Sequence, residues 1–313
     1  MTLPISVIIP TRNRAPVLER TLESLQLQGA LPAQLIVVDG SADAASRIVV
    51  EQYARRWTPS CEVVWQPAAQ NGAAVQRNQG IAIATQPLIC FCDDDILFEP
   101  ECVPRLWHAI QSDAKLGGVS AMIVNQKYHS PGTISRVLFT LMNGRMESSF
   151  AGRVIGPALN QLPEDREDLP EVVHVEWLNL GCTIYRREAL PSPPFDSIFT
   201  GYSLMEDLTL SLRVARNWML ANARTARIFH DSQPGAHKEQ LSAVAKMELV
   251  NRHYVMTKVL GRTRVLDYIR LLVWEVFQLV VCSLQPQSRS SVSKMWRGKW
   301  EALRDIRSAC VEV

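Results

Sequence analysis

Four short apolar runs, ISVIIP (5–10), QLIVVDGS (34–41), CEVVWQ (61–66) and PLICFC (87–92), alternate with stretches of helical character. Continuous apolar runs of this length are the pattern of strands covered on both faces, which occur in parallel sheets. Between the first two, Val17, Leu18, Leu22, Leu25 and Leu27 recur at near-helical spacing before Gly29. AASRIVVEQYARRW and a segment from about Gly72 through QRNQGIAIA supply the next two helices. Strand and helix alternating in this way predict a doubly wound, mostly parallel α/β sheet, whose ligands collect at the carboxyl ends of the strands. Thr11, Arg12 and Asp39 stand at such ends, as do Asp93, Asp94 and Asp95.

The last of these ends is chemically the most demanding. Three adjacent carboxylates repel one another, so folding alone gives no reason to set them at the mouth of a buried strand. A hard divalent cation, Mg²⁺ or Mn²⁺, does give one, because it takes oxygen ligands from one or two carboxylates and from substrate phosphates. The competing reading is an acidic, solvated turn. The chain has 33 lysines and arginines against 31 aspartates and glutamates, a net charge of +2, which argues against a nucleic-acid partner across the whole molecule. Any phosphate must then be met locally. Seven scattered cysteines, two of them inside the fourth apolar run, read as reduced core residues. With no cationic and apolar export segment before Ile5, the expected location is cytoplasmic.

PTRNR (10–14), VVDGS (37–41), QRNQGI (76–81) and FCDDDILFEP (91–100), in this order and spacing, resemble the nucleotide-sugar half of the large family of inverting glycosyltransferases, family 2-like, with the GT-A fold. The resemblance implies a GT-A type, Rossmann-like α/β domain over 1–238. Its nucleotide-sugar half would be 1–100 and its acceptor-side half 101–238, with a helical C-terminal extension at 239–313. It implies a divalent metal cofactor, Mn²⁺ or Mg²⁺, and a nucleoside-diphosphate sugar donor, UDP- or dTDP-sugar favoured. The acceptor would be a glycan or a lipid-linked hydroxyl, in polysaccharide or glycoconjugate biosynthesis. Thr11 and Arg12 would lie near the base and diphosphate, and Asp39 would receive the base edge. Arg77 would help frame the nucleotide, Asp93 would approach the ribose beside Asp94, and Asp95 would bind the metal. A carboxylate accepting from a base N–H and an arginine on phosphate oxygens are sound chemistry in their own right. For Arg77 a plain helix-surface position competes.

Further along, 125–170 is irregular and rich in Gly and Pro, and acceptor-side loops are expected there. In VEWLNLGCTIYRREAL (175–190), Trp177 and Asn179 are candidate sugar contacts, through an aromatic face and a side-chain amide. Core packing of Trp177 competes evenly. In GYSLMEDLTLSLRVARNW (201–218) a helix is expected from near Met205, with Glu206 and Asp207 in its first turn, where the helix dipole favours carboxylates. The pair also resembles the Glu-Asp of the family, whose second acid is the general base. That makes Asp207 the candidate base and gives Glu206 the acceptor or the helix start. His230, after the apolar stretch ARIF, would complete the metal site, with His237 as a competing ligand.

The tail carries RVLDYIRLLVWEVFQLVVCSLQ, long enough to raise a transmembrane question, but Asp267, Arg270, Glu275 and Gln278 form a polar stripe along it. Its wide apolar face suits packing on the catalytic domain, homodimer formation, or peripheral membrane contact through 264–307, where Trp296 and Trp300 sit among basic residues. Two other functions compete with sugar transfer. A sugar nucleotidyltransferase uses a similar sheet, but PTRNRAP lacks the glycines of its phosphate loop. A non-catalytic glycan-binding scaffold has no need of the acidic triplet, the Glu-Asp pair and His230 together.

Overall fold

The computed structural model of the chain describes residues 2–144, 146–201, 203–233, 240–285 and 289–311. The four apolar runs are strands β1 (Thr2–Thr11), β2 (Leu31–Asp39), β3 (Glu62–Pro67) and β4 (Leu88–Cys92). They pair in parallel in the order β3-β2-β1-β4, and the helices between them are α1 (Ala15–Gln26), α2 (Ala45–Trp57) and α3 (Ala73–Ile83). The aliphatic side chains of β1, β2 and β4 are buried on both faces, as strands covered by two helical layers must be.

Beyond β4 the sheet changes character. Strand β5 (Ile96–Phe98) follows at once, then α4 (Cys102–Gln111), β6 (Leu116–Ile123), β9 (Val172–Val175), β10 (Cys182–Arg186), α6 (Glu206–Val214) and β11 (Met219–His230). Strand β10 inserts antiparallel between β4 and β6, β11 runs parallel to β6, and β5 and β9 pair antiparallel with β11. Antiparallel β10 has a functional result: its preceding loop reaches the acidic end of β4, where the Asp93 amide donates to the Gly181 carbonyl at 3.1 Å. Arg186 and Arg187, at the end of β10, donate to the backbone carbonyls of Leu116, Ile110 and Gln86.

The stretch 125–170 contains more order than its Gly and Pro content suggests. Helix α5 (Thr133–Asn143) and a small hairpin of β7 (Val154–Ile155) and β8 (Leu159–Asn160) lie within it. Phe139 and Met142 of α5 cluster with Phe150, Ile155, Leu159 and Trp274. The partners of α5 include Phe150, Ile155 and Leu159 from the irregular stretch itself and the distant Trp274, so little in the local periodicity announces the helix. The C-terminal helices are α7 (Leu241–Tyr254), continued by a π-helical turn (Val255–Val259), α8 (Val265–Leu284) and α9 (Val292–Val311).

The chain divides into two compact units. The first takes in 1–129, 151–153 and 162–233, and the second takes in 130–150, 154–161 and 234–313. The second unit therefore draws on two internal segments as well as on the C-terminal stretch.

Helix α3 lies against β1 so closely that a Cβ on Gly80 would stand 2.5 Å from Ile8 Cγ2. Ile8 is fully buried and its methyl has nowhere to go. Gly80→Ala is expected to destabilise the protein by up to about 2 kcal/mol, as overpacking of about 1–3 kcal/mol outweighs roughly 1 kcal/mol of regained helix propensity. A urea titration decides it, and unchanged or higher stability would show that α3 can shift.

Candidate active site

All the site residues described here belong to the first unit. Parallel pairing of β1 with β2 sets Thr11 directly beside Asp39, so the polar ends of these strands meet by register. Gln76 of α3 fastens them, its amide donating to the carbonyls of Thr11 at 3.0 Å and Val38 at 2.7 Å. Asp39 accepts from the Ser41 amide at 2.9 Å and from the Trp65 indole N–H at 3.1 Å. Both contacts leave lone pairs on a carboxylate able to accept a base N–H. Arg12 is exposed. The loop after β1 is held by Asn13, which is left-handed at φ 54° and whose Oδ1 accepts from the Ala42 amide at 3.3 Å.

The three carboxylates of the acidic motif have three different environments. Asp94 is buried, accepts from the Thr11 hydroxyl at 2.7 Å and meets Arg14 at 3.2 Å. Burial pushes its carboxyl up to about 6, against the opposing hydrogen bond of Thr11 and charge of Arg14. Asp94 thus serves to tie the acidic turn to the end of β1. Asp95 is raised by burial, but the hydrogen bond and charge of His230 and the charge of Arg14 outweigh this and hold it below the usual carboxylate range. Asp93 faces the opening with 30% of its side chain exposed. Burial raises its carboxyl, and Arg77 pulls against that rise.

Asp95 Oδ1 lies 3.1 Å from His230 Nε2. Gln126 Nε2 stands 3.0 Å from His230 Nδ1, and the His230 backbone is paired with the Asn125 side chain, so the imidazole is fixed at both ends. Ligand atoms of Asp93, Asp95 and His230 all lie within 4.8 Å of one another. Two carboxylates and an imidazole on one small space make a donor set that fits Mn²⁺ or Mg²⁺. The sequence pointed to Asp95 and His230, and the fold adds Asp93. His237 lies outside the described residues.

The surface-exposed alternative for Arg77 does not hold. It is 3% exposed, donating through Nη2 to Asp93 at 2.6 Å and through Nη1 to Glu206 at 3.0 Å, with Phe195 beneath its guanidinium. One cation thus joins the acidic motif to the acidic pair at the start of α6. Met205, just before that helix, is left-handed at φ 71°, a strained conformation for a side-chain-bearing residue, of order 1–3 kcal/mol. Glu206 and Asp207 are half-buried in the first turn, and Asp207 Oδ1 accepts from the Leu208 amide at 2.6 Å. Burial, with the charge of Asp207 beside it, raises Glu206 to about 8. Burial raises Asp207 to about 6, against the Leu208 hydrogen bond and the charge of Arg77. A base with its acidity near neutrality is suited to accept a proton at working pH.

Two expected contacts receive other duties. Trp177 is 6% exposed, leaving little of its ring for a sugar. Asn179 turns its amide into its own loop, accepting from the Gly181 amide at 3.2 Å and lying 3.5 Å from the Ala121 carbonyl. Residues that sequence reasoning passed over are Arg14, Trp65, Gln76 and Gln126. Arg14 and Gln76 lie inside quoted motifs, so a rule that every polar residue at a strand end be assigned a partner would have found them. Nothing local marks Trp65 or Gln126.

A separate group, Cys90, Cys92 and Cys182, is wholly buried among aliphatic side chains, with the Cys90 and Cys92 sulfurs 3.6 Å apart. Burying thiolates and a cation in such surroundings is costly, and we read these as core thiols.

Over residues 6–169 the chain matches the family described as "Glycosyl transferase family 2". Validoxylamine A glucosyltransferase of Streptomyces hygroscopicus subsp. limoneus is 37% identical over 117 residues, 36% of this chain and 25% of that protein. The uncharacterized glycosyltransferase YwdF of Bacillus subtilis (strain 168) is 28% identical over 138 residues, 44% of this chain and 50% of that protein. These matches thus span a quarter to a half of the relatives' length. The mannosyltransferase PcManGT from Pyrobaculum calidifontis, solved in complex with GDP-Man and Mn²⁺, is similar at a TM-score of 0.58 and 15% identity, over 96% of this chain and 87% of that one. GalNAc-T7 with UDP, GalNAc and Mn²⁺ is similar at 0.52 and 16%, over 79% and 47%. Likeness at such identities speaks for the fold. The half of the chain that matches the family carries the acidic motif and its framing residues, and by that match the chain belongs to glycosyl transferase family 2, with the GT-A fold.

Proposed function

We propose that this chain transfers a sugar from a nucleoside diphosphate to an acceptor hydroxyl with inversion at the anomeric carbon. The observation that supports this reading is the Arg77 guanidinium, which bonds both Asp93 of the acidic motif and Glu206, the neighbour of Asp207 in the first turn of α6. Asp207 takes the proton of the acceptor hydroxyl. The oxygen so activated forms a bond to the anomeric carbon as the bond from that carbon to the diphosphate oxygen breaks, and the electron pair leaves with the diphosphate. Attack opposite the leaving group in a single displacement gives inversion. Asp39 accepts from the base edge, UDP- or dTDP-sugar being the donors the motif resemblance favours, and Arg12 is exposed to reach phosphate oxygens. Glu206, paired with Arg77, steadies the start of α6 and the charge around Asp207. Asp93, Asp95 and His230 would hold a divalent cation, which when bound supplies positive charge for the departing diphosphate. The acceptor would be a glycan or lipid-linked hydroxyl, as in polysaccharide or glycoconjugate assembly.

Calorimetric titration of UDP, dTDP and GDP, with and without Mn²⁺, into wild type, Asp95→Ala and His230→Ala tests the donor site. Wild type is expected to bind one base class in a metal-dependent manner, and both variants to lose about ten-fold or more of that affinity. Failure of folded wild type to bind any of the three would remove the donor-site assignment. NMR of the anomeric proton in the product then tests inversion, and retained configuration would exclude Asp207 as a base in a single displacement.

A further inference from the structure

Along α8 the helical unit buries a charged group beside apolar core residues such as Leu271 and leaves a further apolar face outside. Glu275, 6% exposed, is bonded to Lys299 of α9 and lies 3.3 Å from the Arg252 Nε of α7. Gln278 accepts from Lys299 at 3.0 Å and donates to Glu248 at 3.3 Å. Glu275 is thus spent inward, while Asp267 accepts from the Arg264 amide and lies 3.7 Å from Arg270 on the same helix. Its opposite face shows Leu266, Ile269, Leu272, Val273, Val276 and Val280 to solvent, spaced three and four apart. Helix α5 of the same unit repeats the arrangement: Phe139 packs inward on Trp274, while Ile134, Val137 and Leu141 are exposed. Exposed apolar surface on this scale marks an interaction site.

Charge selects the occupant. The segments 130–150, 154–161 and 234–313 carry 15 lysines and arginines against 8 aspartates and glutamates, a net +7, which leaves −5 for the rest of a chain whose total is +2. Arg264, Arg289, Lys294, Arg297, Arg304 and Arg307 are exposed. Trp296 and Trp300 are exposed beside them, and Trp300 has the Arg304 guanidinium 5.7 Å from its ring. A second copy would bring like charge against like, whereas an anionic surface complements it. Apolar side chains, interfacial tryptophans and long basic side chains are the chemistry of a helix lying in a lipid headgroup layer. Among the described residues no helix is long and apolar enough to cross a membrane.

We propose that α5 and α8 of the helical unit dock on the surface of an anionic lipid bilayer, with the tryptophans and basic residues of α9 at the headgroups. This does not depend on the sugar-transfer reading. The full chain should float with vesicles of phosphatidylcholine and phosphatidylglycerol at about 7:3, and several-fold less with phosphatidylcholine alone, with the difference shrinking at high salt. Leu272→Glu with Val276→Glu should lower the vesicle-bound fraction about ten-fold. Arg297→Glu with Arg304→Glu should lower it several-fold on anionic vesicles only. All four positions are exposed, so circular dichroism and nucleotide titration should match wild type, and Asp207→Asn should float like wild type. Absence of flotation, equal flotation on both vesicle types, or indifference to the Leu272 and Val276 changes would overturn the proposal. So would a sedimentation-velocity dimer that the same pair of changes converts to monomer.

Discussion

Asp207→Asn is expected to lower kcat/KM by about 10²–10⁴-fold, the range for loss of a positioned general base. The amide keeps the shape of the carboxylate and still accepts from the Leu208 amide, so the start of α6 survives and donor affinity should stay within about two-fold. Only the ability to take a proton is removed. Because burial raises Asp207 to about 6, wild-type kcat/KM should fall as pH drops through about 6, and the variant should lose that limb. Stability should run the other way. A carboxyl whose folded value is raised above its unfolded one binds more protons in the folded state, so its contribution is present at low pH and is lost as pH rises through the folded value. On the proposed mechanism the site should be most active where the ionised carboxylate makes the fold least comfortable, and Asp207→Asn should raise Tm at pH 8. An acid limb that persists unchanged in the variant would move the base elsewhere.

Arg77→Leu is expected to destabilise the protein by about 3–5 kcal/mol at pH 8, because it strands two carboxylates around a buried site. Asp93 and Glu206 share that one cation, at 2.6 and 3.0 Å. The defect should shrink toward pH 5, since without Arg77 both carboxyls take up protons more readily and a neutral carboxyl is less costly to bury. Arg77 also lowers Asp207, so in the variant the acid limb of any remaining activity should move to higher pH. Lysine restores the charge but offers no planar fork to two acids at once, so Arg77→Lys should fall between the two. Urea unfolding at both pH values measures this. A loss under about 1 kcal/mol at each would mean that water or a rearranged turn satisfies both acids.

Much of the site is legible from sequence because its parts are strand ends. An apolar run that stops in Asp39, or in Asp93 to Asp95, announces both the strand and its polar terminus, and parallel pairing then gathers those termini without further information. Glu206 and Asp207 are legible for a similar reason, since a helix that starts after Met205 must put them in its first turn. Trp177 misleads because an aromatic residue in an apolar run looks the same whether it faces a sugar or the core. For Arg77 two readings stand open in the sequence because helical spacing says which residues share a face but not what that face meets.

The sequence by itself determined the order of the first four strands and the helices between them, their polar ends and the acids of α6, because these follow from periodicity and local breaks within a dozen residues. Tertiary structure alone decided what joins them. Arg77 finds Glu206 129 residues away, and His230 finds Asp95 at a separation of 135, because antiparallel β10 and then β11 cross back beside the parallel half of the sheet. The inward charge of α8 belongs to the same class. A polar stripe on a helix does not say whether it faces water or other charges, and only the positions of Arg252 and Lys299 around Glu275 turn that helix apolar side out.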